Sequence, residues 1–513
     1  MSHLPNKSHG QDMEQSLKVL FLSSEVSPFS RSGIHGDVCA AIPRQLKKLG
    51  HDVRVITPRY QFIRDRKFGL RDVARLRSVD INFNGTAQEF AVKSGFIPQS
   101  KVQVYFVEKP EYYDREGIYL NPVDGKPYDD NALRFSFLCH ASLQLILHLQ
   151  WIPDIIHCNG WQTGLVPFLL SSGEIFHDKL AFSRLVMQVH QFEEFGLFED
   201  GCAPGIIFED ESRELVEWDG KFSFMKAGIQ FSDSIVFSRS LDEAGKKQQL
   251  KEEFWTQFNG SKDDFKQFGG SGKCLDWNPI SDFTIEQSYS EVDFVQGKVA
   301  NKRALQRDMK FRLLPDLPIG FAVVNLSESS HLEFLNTLRD NDSSLNCQWV
   351  IADVSGEAIP KAIEIWRKNN RELVFIVTEM NELLYRKILS GCDFSLKIDG
   401  FDTDWNEIAT HLNYGVIPYI IQLGDQANTG GWWSEYSEIT GEFLFRGDSD
   451  NVSALLKAVT ESYASKDFWN GWVEQILRKR LDWENIVNQL LDIYENSLSN
   501  PSCREKHHEI VEE

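Results

Sequence analysis

Short apolar runs alternate with amphipathic helical stretches along most of this chain, and the alternation restarts at Pro318. Residues 18–23 are a first apolar run of strand length. Over 36–48, Val38, Ile42 and Leu46 recur at helical spacing, Leu49 follows on the same face, and Gly50 ends the helix. Residues 52–57 supply the next strand. A strand–helix–strand unit of this kind predicts parallel pairing with a right-handed crossover. The rhythm recurs at 154–157, 184–190 and 233–237. It resumes at 318–326, 347–354, 372–378, 393–397 and 417–422, with helical stretches such as 382–389 between. With 513 residues the chain exceeds what one hydrophobic core sustains, so two doubly wound α/β lobes are predicted. Residues 245–273 are rich in Lys, Gln, Gly and Asp without periodicity and read as a mobile loop. Residues 1–16 read as a disordered extension, and 499–513 as a flexible tail.

Charge and cysteine usage narrow the partners. A formal charge of −21 disfavours nucleic acid and anionic membranes as the main partner. The eight cysteines form no CxxC pair and lie scattered in apolar segments, which suits reduced thiols in a cytoplasm better than disulfides or a zinc site. Residues 1–16 lack the apolar stretch of a signal peptide. No run reaches the roughly 18 apolar residues that a membrane helix needs.

The first chemical signal is Arg31-Ser32-Gly33-Ile34-His35-Gly36-Asp37, which follows a strand and opens a helix. Backbone N–H groups and the helix dipole at such a start favour a phosphate, and Arg31 adds a charge-assisted donor. A strand–Gly–helix turn alone is more often plain topology. Other segments make it specific. Pro110-Glu111-Tyr112-Tyr113-Asp114-Arg115 with Gly117-Ile118-Tyr119, Tyr128-Asp129-Asp130-Asn131 with Arg134-Phe135, and Gly297-Lys298, Asn301-Lys302 and Leu305-Gln306 stand in order along the chain. Together with the loop and with Leu481-Asp482-Trp483 they resemble the bacterial glycogen synthase and plant starch synthase family, in which the loop reads K-T-G-G-L-G-D.

That resemblance covers nearly all of the chain beyond residue 16. It implies the GT-B fold: two Rossmann-like lobes facing a cleft, with C-terminal helices returning to the first. It implies an N-terminal starch-synthase-like lobe at 17–300, a C-terminal lobe at 315–465 and returning helices at 466–498. The implied activity is retaining transfer of glucose from a nucleotide sugar, ADP-glucose or related, to an α-1,4-glucan, with no cofactor and no metal required. His190 and Asp402 then stand nearest the reacting centre, and Arg31, Ser32, Gly33, Gly36, Asp37, Asp130 and Asn131 at the donor site.

Several family positions are changed. Ile34 stands for the loop's second glycine, and a β-branched residue there crowds a phosphate. His157-Cys158-Asn159-Gly160-Trp161 resembles H-x-H-D-W, with Asn159 for the second histidine and Gly160 for the aspartate; Gln191 replaces an asparagine. In the second lobe Asn325 replaces an arginine and Ser330 a lysine, the cations that offset charge on the departing diphosphate. Losing one such group costs about 10²–10³ in rate. Asp402 keeps a shorter carboxylate in place of glutamate, Asp404 adds an anion, and Trp405 replaces a glycine. Asp402 and Asp404 also fit a solvated loop that caps a helix. Most of the thirteen tryptophans fit a core role, and Trp432-Trp433 alone suggests a surface cluster. Three readings remain: a transferase, a catalytically inactive protein that binds glucan or associates with and regulates an active synthase, and a transferase with a changed donor.

Overall fold

The computed structural model describes residues 16–32, 34–172, 174–190, 195–199, 213, 215–237, 265–267, 279–280, 282–341, 346–399, 410–422, 452–478 and 483–500. They divide into two compact units. The described residues of Met1–Ser238, Glu253–Phe268 and Val487–Glu513 form the first, and those of Gly269–Ile486 the second.

The first unit is built on a ten-stranded sheet. Its centre is β1 (Lys18–Leu22), flanked in parallel by β2 (Asp52–Pro58) and by Ile155–Asn159. Numbered in chain order, the remaining strands are β3 (Arg71–Asp72), β4 (Val79–Phe83), β5 (Thr86–Phe96), β6 (Gln103–Glu108), β7 (Ile155–Asn159), β8 (Arg184–Val189), β9 (Leu197–Phe198), β10 (Glu217–Trp218), β11 (Lys221–Ser223), β12 (Ser234–Phe237) and β13 (Phe265–Gln267). The main order is β13-β12-β8-β7-β1-β2-β6-β5-β3, with β4 paired to β5 and a separate small sheet of β10-β11-β9. Four of the five β1 residues are buried, as are all five of β7, which is what a sheet covered on both faces demands.

The hairpin β4–β5 escaped the sequence reading, although its signal was present. Val79, Ile81 and Phe83 alternate with exposed residues, and Asn84-Gly85 makes the turn with φ of 56° and 68°. Phe265–Gln267 pairs in parallel with β12, so the segment read as a mobile loop contains a strand; its other residues lie outside those described.

Helix α1 (Ile34–Lys48) follows β1, and Gly50, at φ 98°, sits just beyond its end, where only glycine adopts that backbone without strain. Helix α2 (Asn131–Leu149) corrects the membrane expectation: by length and composition it is apolar enough to span a bilayer. It is instead a core helix, with 78% of its most apolar window buried in the unit and Arg134 fully buried among backbone carbonyls.

The second unit has a five-stranded parallel sheet. In chain order its strands are β14 (Ile319–Val324), β15 (Gln348–Asp353), β16 (Val374–Val377), β17 (Phe394–Asp399) and β18 (Ile417–Gln422), arranged β16-β15-β14-β17-β18. Helix α3 (Phe294–Asp308) packs here, so the unit begins before residue 300, the boundary read from sequence. The reason is a buried ion pair. Lys302 Nζ donates to Asp393 Oδ2 at 2.8 Å, to Tyr463 Oη at 2.6 Å and to the Leu317 carbonyl at 2.5 Å. The same Asp393 oxygen accepts from the Ile319 N–H at 2.7 Å. Gln306 donates to Gln348 Oε1 at 2.7 Å, and a Cβ on Gly297 would meet the Tyr289 side chain at 2.4–2.7 Å. The Gly297–Gln306 motif thus holds α3 against the sheet.

Helix α4 (Lys466–Arg478) also belongs to this unit, because its Trp469, Val473, Ile476 and Leu477 are part of the core. The sequence reading had sent it back to the first lobe with the next helix. That return occurs within α5 (Trp483–Ser499), whose residues from Val487 belong to the first unit. There Tyr494 Oη meets His157 Nδ1 at 2.6 Å, and Arg184 Nε donates to the Ser497 carbonyl at 3.0 Å.

Candidate functional site

Neighbouring strands β8, β7 and β1 end side by side, and the residues at and just beyond their C-terminal ends carry the chemistry of the first unit. Parallel sheets bind ligands at strand C-terminal ends, where the order reverses. Ser23, Ser24 and Glu25 come directly after β1, Asn159 and Gly160 close β7, and His190 comes directly after β8.

Glu25 is 1% exposed and fastens the loop before α1. Ser32 donates from its N–H to Glu25 Oε2 and from its hydroxyl to Glu25 Oε1 at 2.6 Å. Tyr119 donates to Glu25 Oε1, also at 2.6 Å, and its carbonyl accepts from Asn131 Nδ2 at 3.0 Å. Gly36 is required by close approach, because a Cβ there would lie 3.0 Å from the Ser30 carbonyl oxygen. Arg31 Nε donates to both oxygens of Asp37, at 3.1 and 2.9 Å, with the arginine 53% and the aspartate 4% exposed. Asp130 takes both arms of Arg115, at 2.8 and 2.5 Å, and Asn131 Oδ1 accepts from Arg134 at 2.7 Å. The polar groups assigned to the donor therefore each hold an internal partner in this state. Ile34 opens α1, while Gly33, Gln191, Asp402, Asp404, Trp405 and Trp432-Trp433 lie outside the described residues.

His190 is 8% exposed, with Nε2 3.3 Å from Asn159 Oδ1. Its ring stacks on His35 at 4.3 Å between centroids and 22° between planes. His35 was not singled out from sequence, although it stands where the family loop has leucine. Its Nε2 lies 3.0 Å from Ser23 Oγ, and burial lowers its pKa while Glu25 opposes that shift. Gly160 has φ 68°, and a Cβ there would lie 2.5 Å from Gln162 Oε1 and 3.0 Å from His35 Cε1. A side chain at that position would strain the backbone and require Gln162 and His35 to shift. The changes at 35, 159 and 160 are therefore coupled in space, a link the separate motifs could not reveal.

His157, the first histidine of the same motif, is structural. It is fully buried, stacks on Phe21 at 4.5 Å, and bonds Tyr494 and Gln188 on its two nitrogens. Desolvation lowers its pKa to about 3.

In the second unit, Asn325 directly follows β14 and opens a tight turn, its carbonyl accepting from the Glu328 N–H at 3.0 Å. Its Oδ1 accepts from the Ser327 N–H at 3.1 Å and its Nδ2 donates to Glu328 Oε1 at 2.9 Å. The Asn325 N–H donates to His331 Nδ1 at 2.8 Å. Ser330 lies in the first turn of Ser329–Asp340. Where the family carries two cations, this turn thus offers two neutral side chains and, between them in sequence, the carboxylate of Glu328.

Comparison with known proteins agrees with this architecture. The family model described as the starch synthase catalytic domain matches residues 18–243. The glycogen synthase of Photobacterium profundum is 29% identical, over 96% of this chain and 97% of that protein. That of Geotalea daltonii is 28% identical, over 93% and 98%. Among solved structures, the catalytic domain of starch synthase IV from Arabidopsis thaliana, bound to ADP and acarbose, superposes with a TM-score of 0.68 at 20% identity. The alignment covers 95% of this chain and all of that one, which fixes the fold as GT-B. The chain is thus similar over nearly its whole length to glycogen synthases, and over residues 18–243 to the starch synthase catalytic domain.

Proposed function

We propose that this protein transfers glucose from ADP-glucose or a related nucleotide sugar to an α-1,4-glucan, with retention, far more slowly than a synthase that keeps its second-lobe cations. The full-length likeness to glycogen synthases supports the reaction class. In this reading the loop around Arg31, Ser32, Gly33, Gly36 and Asp37 receives the diphosphate, Asp130 and Asn131 support the donor site, and His190 and Asp402 hold the family's catalytic positions in sequence. Arg31 must first leave Asp37, which is buried and would lose its charged partner.

The observation that carries the slow rate is the turn at Asn325. Charge builds on the departing diphosphate, and Asn325 and Ser330 supply no cation to meet it, while Glu328 adds an anion. The same observation favours a second reading, in which the protein binds glucan, or an active synthase, without transfer. We place it in the cytoplasm, in keeping with five described cysteines that are all unpaired and buried.

The test is transfer from radiolabelled ADP-glucose and UDP-glucose to glycogen and to short maltooligosaccharides, with thermal shift against the same ligands. Slow incorporation into glycogen supports the transferase. Stabilisation by maltooligosaccharides with no incorporation supports the binding reading. Turnover in the ordinary range, about 1–10³ per second, would overturn the argument from missing cations.

A further inference from the structure

Within residues 64–77, six cations stand on the surface of an acidic chain with no carboxylate against them. Arg64, Arg66, Lys67, Arg71, Arg75 and Arg77 are all exposed, and none forms an ion pair with a described residue. The two carboxylates of the segment are already taken. Asp65 is held by Arg59 at 2.7 Å and by Lys93 at 3.0 Å, and Asp72 by Lys93 at 3.0 Å. The formal charge of the whole chain is nonetheless −21. We infer that this segment is a docking surface for a short, Asp- and Glu-rich segment of a protein.

The fold leaves the surface open and holds it in place. Arg64 is the N-cap of the short helix Asp65–Phe68, which contains Arg66 and Lys67. Arg71 lies in β3, Arg75 in the turn Ala74–Leu76, and Arg77 directly after it. β3 ends the strand order of its sheet, pairs with β5, and exposes both of its residues. The single ammonium of Lys93, on β5, ties Asp65 of the helix to Asp72 of the strand. The cations therefore wrap a pinned sheet edge.

Five of the six are arginines, whose planar forks match carboxylates with two parallel bonds. Phosphates offer the same match, and the reach of charge decides between them. Salt screens exposed charges beyond about 8–10 Å. A short acidic segment meets the six cations and little else. A duplex nucleic acid or an anionic membrane extends past them over a surface that is net negative, and is repelled there. None of the six is assigned to sugar transfer, so the surface stands or falls apart from that reading.

The probe is a fluorescein-labelled peptide of alternating Asp and Glu, titrated with the full-length protein and read by anisotropy. One saturable site is expected, weakening at least tenfold as salt rises from about 0.05 M to about 0.5 M. Arg71→Glu with Arg75→Glu and Arg77→Glu should weaken it at least tenfold. Arg303→Glu with Lys361→Glu and Arg371→Glu changes net charge equally at exposed positions of the second unit, and should leave binding within twofold. Equal losses in the two folded variants would show binding to follow net charge alone and would overturn the site. The wild-type titrations need no variant: absence of saturable binding, or tighter binding to duplex DNA or to phosphatidylserine vesicles than to the peptide, overturns the proposal. A wild-type dimer in sedimentation velocity that the first variant abolishes would give the surface to a second copy of this chain, and overturn it as well.

Discussion

Acidification should destabilise the first unit through His157 before carboxylates are reached. This ring accepts from Tyr494 on Nδ1 and donates to Gln188 on Nε2, in a fully buried position. Protonation would put a second donor against the tyrosine hydroxyl and a charge in the core, and its pKa is accordingly lowered from 6.5 to about 3. The unfolded chain therefore binds this proton first. Stability is full above 6.5 and falls as pH drops toward about 3. At 1.36 kcal/mol per unit the ceiling is about 5 kcal/mol, and between pH 7 and pH 5 the loss is roughly 2 kcal/mol. The perturbation is His157→Asn, which keeps an acceptor near the Nδ1 position but has no titrating ring. Urea unfolding of the full chain at pH 7 and pH 5 gives the readout. The variant will be less stable at both values; what counts is the change between them. Other buried histidines, His35, His51 and His140, are shifted in the same direction and contribute to both proteins alike. The wild type should lose roughly 2 kcal/mol more than the variant over this interval. Equal losses would show that His157 titrates normally and that the Tyr494–Gln188 arrangement does not hold it neutral.

Gly160→Ala should cost roughly 1–3 kcal/mol, because φ 68° with ψ 171° is a glycine conformation and the new Cβ meets Gln162; an unchanged melting temperature would refute this. Lys302→Met should cost roughly 3–5 kcal/mol by leaving Asp393 buried without its cation, read by urea unfolding, and a neutral result would show that Tyr463 and the Ile319 N–H satisfy it alone. Asn325→Arg with Ser330→Lys should tighten ADP binding at least tenfold, since each charge-assisted contact contributes about 1.5–3 kcal/mol. Calorimetry that finds the same affinity would show that the second unit's loss is not one of charge.

The parallel α/β architecture was legible in sequence because its cause is local. Strands buried on both faces read as apolar runs, as in Lys18–Leu22 and Ile155–Asn159, and the covering helices show their own period. The Asn84-Gly85 hairpin was equally local and was passed over because its strands alternate rather than run apolar. Unit boundaries were not local. Lys302 belongs to the second unit because Asp393 and Tyr463, 91 and 161 residues away, receive its charge. The site divides the same way. The sequence by itself determined which ions the second unit lacks, since the identity of Asn325 and Ser330 needs no coordinates. Tertiary structure alone decided that Arg31 is held by Asp37, that His157 is a core residue tied to Tyr494, and that His35 lies on His190 over Gly160. Composition and period report what a residue is and which face it occupies. Which partner it meets is set by strand order, and that order makes Val19 of β1 a neighbour of Ile155 in β7, and Ile155 in turn a neighbour of Arg184 in β8.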